Sequence, residues 1–183
     1  VAFGVVLDTC VLYPLSIGDI LMRLAERELY DLFWSERILK DLERVMKENG
    51  ATAQQAAHRV DAMRRTFEAG MVSEGVIARL EPAMTNDEGD RHVLAAAVGR
   101  GADAVVTANV KHFPPESCEP HGIDVIHPDD FLVSLYDLAP ADVQWIVGEQ
   151  AAALKRPPVS REELIAMLEK AGAPTFAKRL RGE

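Results

Sequence analysis

The sequence is poor in cysteine, with two thiols in 183 residues, Cys10 and Cys118. They lack metal-ligand spacing and offer no framework for a disulfide scaffold. Cys10 lies in an apolar context and reads as a small core residue. Long apolar runs are also missing, and none approaches the ~20 residues of a membrane span. No secretory signal is visible, so a cytoplasmic protein with no membrane partner is expected. Val1 is not a methionine, and a few native residues are expected before it. Basic charge is short as well: the net charge is −9. That argues against broad non-specific affinity for nucleic acid. It leaves room for a local basic rim and suits a basic partner. Repeats and low-complexity segments are absent.

Hydrophobic residues make up 48% of the chain and charged residues 27%, the balance of a globular domain with a real core. Residues 3–8 read as a strand. Pro14 suits the first turn of a helix whose stripe is Ile17, Ile20, Leu21, Leu24 and Ala25. Leu32–Trp34 is a short strand, and Ser35 caps a helix over 36–48 that Gly50 ends. A helix over 52–69 is capped by Thr52, while Val76–Leu80 stays ambiguous between strand and turn. A helix runs from the Asn86–Gly89 turn to Arg100, with Gly101 as its stop. Ala104–Thr107 and Ile123–Ile126 read as strands around a loop-rich 110–122, and Pro128 opens a helix to Leu138. Helices then follow at about 141–154, 160–171 and 174–181, with Lys155–Pro158 as a linker and Ser160/Glu163 as a capping box. Alternating strands and helices predict an α/β unit over 1–138 with a parallel sheet covered on both faces. Residues 139–183 form a helical extension.

Four places carry polar groups where apolar ones are expected. Asp8 ends the first strand, so it either caps a helix starting near Val11 or sits where parallel sheets bind ligands. Asp90 falls near the centre of the face formed by Val93, Leu94, Ala97 and Val98. A helix dipole could hold it there, or a ligand could. Asp87, one turn earlier, is a cap or a supporting acid. On the 36–48 helix, Asp41 and Glu43 flank the apolar centre at Leu42 on opposite borders, and the helical wheel does not choose between them. Thr107 ends a strand with a hydroxyl that can orient neighbours. Asn109 follows with a neutral oxygen, or serves simply as a loop residue. On the same wheel His92 points away from the apolar face, and His58, His112, His121 and His127 have no ligand spacing, so zinc is not expected.

The stretches VVLDTCVLYP, ILKDLERVM and DEGDRHVLAAAVGRGADAVVTANVKHFP, in that order, resemble a PIN domain of the kind found in VapC-type toxins of bacterial toxin–antitoxin pairs. The likeness covers about residues 3–135, and the helical tail resembles the extension of a longer VapC-type subgroup. It implies a PIN-like three-layer sandwich. It also implies a metal-dependent endoribonuclease that cleaves RNA phosphodiesters by metal-activated water and leaves 5′-phosphate and 3′-hydroxyl ends. Mg²⁺ or Mn²⁺ is the implied cofactor, since hard cations take oxygen ligands.

Carried over residue by residue, the family's site falls on Asp8, Glu43, Asp90 and Asn109, with Thr107 in support. The family pattern favours Glu43 over Asp41, so Glu43→Gln is expected to abolish cleavage and Asp41→Asn to leave most of it. Asn109 stands where many members have Asp, which removes one charge. Asp8, Asp90 and Glu43 are the expected metal ligands, and Arg91, Lys111 and His112 are candidates for phosphate contacts. An antitoxin and RNA are the implied partners, and a homodimer stays open.

Three other readings compete. A haloacid-dehalogenase-type phosphatase needs a second Asp where Cys10 stands, and a Rossmann domain needs glycines that Asp8-Thr9-Cys10 lacks. A non-catalytic PIN scaffold that binds RNA or protein is the third.

Overall fold

A computed structural model describes residues 2–183, so the expectation about residues before Val1 lies outside the described residues. Five parallel strands form one sheet: β1 (Gly4–Leu7), β2 (Asp31–Ser35), β3 (Met71–Val72), β4 (Ala104–Val106) and β5 (Asp124–Ile126), in the spatial order β3-β2-β1-β4-β5. Successive residues on a strand face opposite sides of a sheet. Val5, Val6 and Leu7 are all fully buried, so both faces are covered. The cover comes from α1 (Thr9–Leu12), α2 (Leu15–Glu26), α3 (Glu36–Glu48), α4 (Ala53–Thr66), α5 (Glu74–Leu80) and α6 (Arg91–Arg100). After the short α7 (Pro115–Cys118) come α8 (Pro128–Leu138), α9 (Pro140–Ala153), α10 (Arg161–Lys170) and α11 (Pro174–Arg181). The expected α/β sandwich with a helical C-terminal region is what forms.

The strand order places the site. The chain builds β1, β2 and β3 toward one edge, then returns to add β4 and β5 on the other side of β1. The order therefore reverses between β1 and β4, and the crevice beyond their carboxyl ends is where such sheets bind ligands. Caps fix the helices as expected: Ser35 Oγ accepts from Ile38 N at 3.2 Å, and Thr52/Gln55 and Ser160/Glu163 close capping boxes. Gly101 ends α6 at φ 69°, where L side chains are strained. At Gly18 a Cβ would lie 2.4 Å from Leu12 O, and this close approach seats α2 on α1.

Several expectations need correction. Val76–Leu80 belongs to a helix, α5, which Ser73 caps, and the two-residue β3 was not foreseen. The helix expected over 52–69 stops at Thr66, and a 3₁₀ turn follows over Glu68–Gly70. Pro14 precedes α2 instead of lying in its first turn. The expected loop at 110–122 carries α7 and two 3₁₀ turns.

The C-terminal helices are tied to the sheet layer by polar contacts as well as apolar ones. Gln150 Nε2 donates to Ser16 O at 2.9 Å, linking α9 to α2. α11 has no side-chain cap of its own. Asp129 of α8, 7% exposed, takes that role and accepts from Thr175 N at 3.0 Å and Phe176 N at 2.8 Å. Each hydrogen bond to a charged group is worth ~1.5–3 kcal/mol. Asp129→Ala is therefore expected to lower the urea midpoint by an amount equivalent to about 3 kcal/mol, and Asp129→Asn by about half of that. An unchanged midpoint for Asp129→Ala would show that α11 docks by its apolar face alone.

Candidate metal centre

Asp8 is the residue after β1 and the N-cap of α1, so it is both the strand-end acid and the helix cap that the sequence left as alternatives. It is 5% exposed. Its Oδ1 accepts from Thr9 N at 2.7 Å, and its Oδ2 accepts from Thr107 Oγ1 at 2.8 Å and from Cys10 Sγ at 3.3 Å. Burial pushes its carboxyl above the ordinary value. The Thr107 bond opposes that shift, and the charge of Asp90 adds to it. Thr107, fully buried at the end of β4, also accepts from Asn109 N at 3.0 Å. One hydroxyl thus joins the ends of two neighbouring strands.

These groups open into a cavity of about 600 Å³ lined by Asp8, Asp90 and Asn109, and by one further acid, Asp41. The face of α3 turned to the cavity carries Arg37, Asp41, Arg44 and Val45, spaced as one helical stripe. Glu43 does not line it and instead pairs with Lys47 Nζ at 3.0 Å. Of the four residues that the resemblance implied, Asp8, Asp90 and Asn109 line this cavity and Glu43 does not, while Asp41 does. Asp41 Oδ2 lies 3.9 Å from His92 Nε2.

Two histidines depart from the sequence reading. His92 is 4% exposed and lines the cavity instead of pointing outward. Burial, with the Arg37 cation nearby, holds it below its ordinary value, so it is neutral at neutral pH. His112 Nδ1 lies 2.7 Å from Asp90 Oδ2. Asp87 caps the 3₁₀ turn before α6 by accepting from Gly89 N at 3.1 Å, and its own N–H donates to His112 O at 3.1 Å. Asp87, Asp90 and His112 bring three ligand atoms within 4.8 Å of one another. Asp90 stands at the N-cap of α6 but makes no side-chain capping bond, which leaves its carboxylate to His112 and the cavity.

Cys10 packs against the core from its edge rather than within it. It is half-buried, lines the cavity and accepts from Ala108 N at 3.3 Å, and burial pushes its thiol up to about 11. Arg91 and Lys111 do not line the cavity: Arg91 Nε donates to Asn86 O at 3.2 Å, and Lys111 lines a separate hollow beside β5. Arg37 and Arg44 are the cations at the cavity wall, and the sequence reading missed them.

Residues 4–111, more than half of the chain, match the family model described as PIN domain. The chain belongs to the PIN-domain family. Residues 128–182 match the model described as VapC50 C-terminal domain, which assigns α8–α11 to a known extension. Over 99 residues the chain is 39% identical to the protein named "Putative ribonuclease VapC50" of Mycobacterium tuberculosis (strain ATCC 25618 / H37Rv). That alignment covers 54% of this chain and 58% of the relative, so the chain spans less than two-thirds of the curated relative it matches.

The PIN cavity suits a hard divalent cation. Its carboxylates offer oxygen, with Cys10 and His92 also in the lining, and Asp8 is buried with its proton affinity raised beside a second carboxylate. A bound divalent cation would offset the repulsion between Asp8 and Asp90, which Arg37 and Arg44 at the cavity wall do not pair with directly. Among the described residues no helix is long and apolar enough to cross a membrane.

Proposed function

We propose that this PIN-domain chain is a Mg²⁺- or Mn²⁺-dependent endoribonuclease of the VapC type, held in check by an antitoxin in the cytoplasm. The carrying observation is the convergence of Asp8, Asp41, Asp90 and Asn109 on one cavity beyond β1 and β4. Residues 1–138 form the nuclease unit in this reading, and 139–183 its helical extension. Asp8 and Asp90 would hold the cation, with Asp41 beside them at the cavity wall, and Asn109 would add a neutral oxygen. When bound, the cation acidifies a water and offsets charge building on the phosphate. Thr107 holds Asp8 Oδ2 in one orientation, and His112 does the same for Asp90 Oδ2. Asp41, whose Oδ2 lies 3.9 Å from His92 Nε2 in the same lining, would take the proton of the attacking water. Arg37, now paired with Glu81, and Arg44, paired with Glu48, would turn to phosphate oxygens at the cavity wall.

The test is cleavage of total cellular RNA by the full chain with Mn²⁺, with EDTA, and by Asp90→Asn. Cleavage that needs both the metal and Asp90, and leaves 5′-phosphate ends, is the expected result. RNA binding without metal-dependent cleavage would favour the non-catalytic PIN scaffold, which the neutral Asn109 supports. For the antitoxin, a basic side chain laid across the cavity would replace the metal's charge. Rising Mn²⁺ at constant ionic strength should then weaken binding of an antitoxin C-terminal segment. Affinity indifferent to Mn²⁺ would mean that inhibition is steric.

A further inference from the structure

The carboxylate cavity does not end at Tyr13. The Tyr13 side chain lines that cavity and also a second one, of about 380 Å³. The second hollow is walled by Pro14 before α2, by Leu15 and Ser16 in its first turn, and by Met167, Lys170 and Ala171 at the end of α10. Leu164, Ile165 and Leu168 of α10 are fully buried, whereas Met167 is 44% exposed. Helix α10 therefore packs through one face and turns a large apolar side chain outward. Tyr13, Met167 and Lys170 thus line one open groove.

We propose that this second cavity holds an unpaired base of the RNA beside the phosphate presented to the carboxylates. The inference rests on the nuclease reading of the first cavity and deepens it. Every base has a π-face, so an aromatic side chain beside a phosphate-handling site is a general platform for unstacked bases. Met167 fills the irregular space next to such a base, and Lys170 stands where the backbone leaves the groove. Continuity through Tyr13 with the carboxylate cavity selects RNA as the occupant. A duplex would not reach in, because its bases stay stacked. The extension then has a function: α10 completes the substrate groove.

The experiment uses the full chain in Ca²⁺, an oxygen-seeking cation that fills the carboxylate cavity. Fluorescence anisotropy compares a random-sequence single-stranded RNA decamer with an abasic decamer. The wild type is expected to bind the base-bearing decamer about tenfold more tightly, the scale of one stacked base. Tyr13→Ala and Met167→Glu should each erase that preference, and Tyr13→Phe should keep it. Met167 is exposed enough for its variant to fold even if Tyr13→Ala does not. Lys170→Gln should weaken both decamers and lower the salt slope by roughly 0.7. A preference that survives in Met167→Glu and Tyr13→Ala, an equal loss on both decamers in these two variants, or no preference in the wild type would overturn the subsite. Cleavage of total RNA in Mn²⁺ is scored separately. Cleavage without base preference sinks the subsite alone, and base preference without cleavage sinks the nuclease reading alone.

Discussion

Asp41→Asn is expected to lower the rate of RNA cleavage by roughly 10²–10⁴-fold, the usual contribution of a positioned acid or base. Glu43→Gln should leave it nearly unchanged. Both acids border the apolar face of α3, but only Asp41 shares a cavity with Asp8 and Asp90. Glu43 is engaged by Lys47 one turn away, an exposed pair worth ~0.3–0.5 kcal/mol. Its loss should therefore be nearly silent in both activity and melting temperature. The measurement is initial rate at saturating Mn²⁺ for wild type and both variants, with melting curves to confirm that each is folded. A dead Glu43→Gln beside an active Asp41→Asn would restore the family-based assignment. It would also mean that α3 turns on binding metal.

That exchange shows where sequence reading stops. Asp8 was legible because its signal is local: an apolar strand that ends in an acid. The caps at Ser35, Thr52 and Ser160, and the stop at Gly101, are local in the same way. Choosing between Asp41 and Glu43 requires knowing which border of α3 faces the end of β1, and helical periodicity carries no such information. His92 was misplaced because a wheel assumes one wet face. Helix α6 lies between the sheet and α5, and Ala95, Ala96 and Ala97 are all fully buried. With little solvent around the helix, no direction on the wheel is reliably outward. The Asp90–His112 contact spans 22 positions and depends on the backbone bond from Asp87 N to His112 O. Nothing in the spacing announces it. Helix α5 is seven residues long, too short for a helical period to stand out against a strand.

Asp8→Asn is expected to raise the melting temperature of the metal-free protein and to abolish most of the gain that metal gives. The folded state holds the Asp8 carboxyl above its ordinary value of 3.8, mainly by burial, with Asp90 adding repulsion. Between that value and the raised one, the folded chain binds more protons than the unfolded chain. Stability from this group therefore falls as pH rises through the window, and the deficit persists at neutral pH. An amide removes the charge and still accepts from Thr9 N through its oxygen, so α1 keeps its cap, and its NH₂ replaces the Oδ2 acceptor by donating to Thr107 Oγ1. Relief of about 1 kcal/mol would raise the melting temperature by ~2–4 °C in a chain of this size. Mn²⁺ at a hundredfold its dissociation constant stabilises the wild type by about 2.7 kcal/mol through mass action. The variant, lacking a buried ligand charge, should gain little. The order of stabilities should then invert, with Asp8→Asn higher in EDTA and the wild type higher in saturating Mn²⁺. Thermal denaturation of both proteins in each condition at pH 7.5, repeated in EDTA at successively lower pH, checks the sign, since acid should narrow the gap. If Asp8→Asn melts lower in EDTA and still rises with Mn²⁺ as the wild type does, the carboxylate serves α1 as a cap and the metal is held elsewhere.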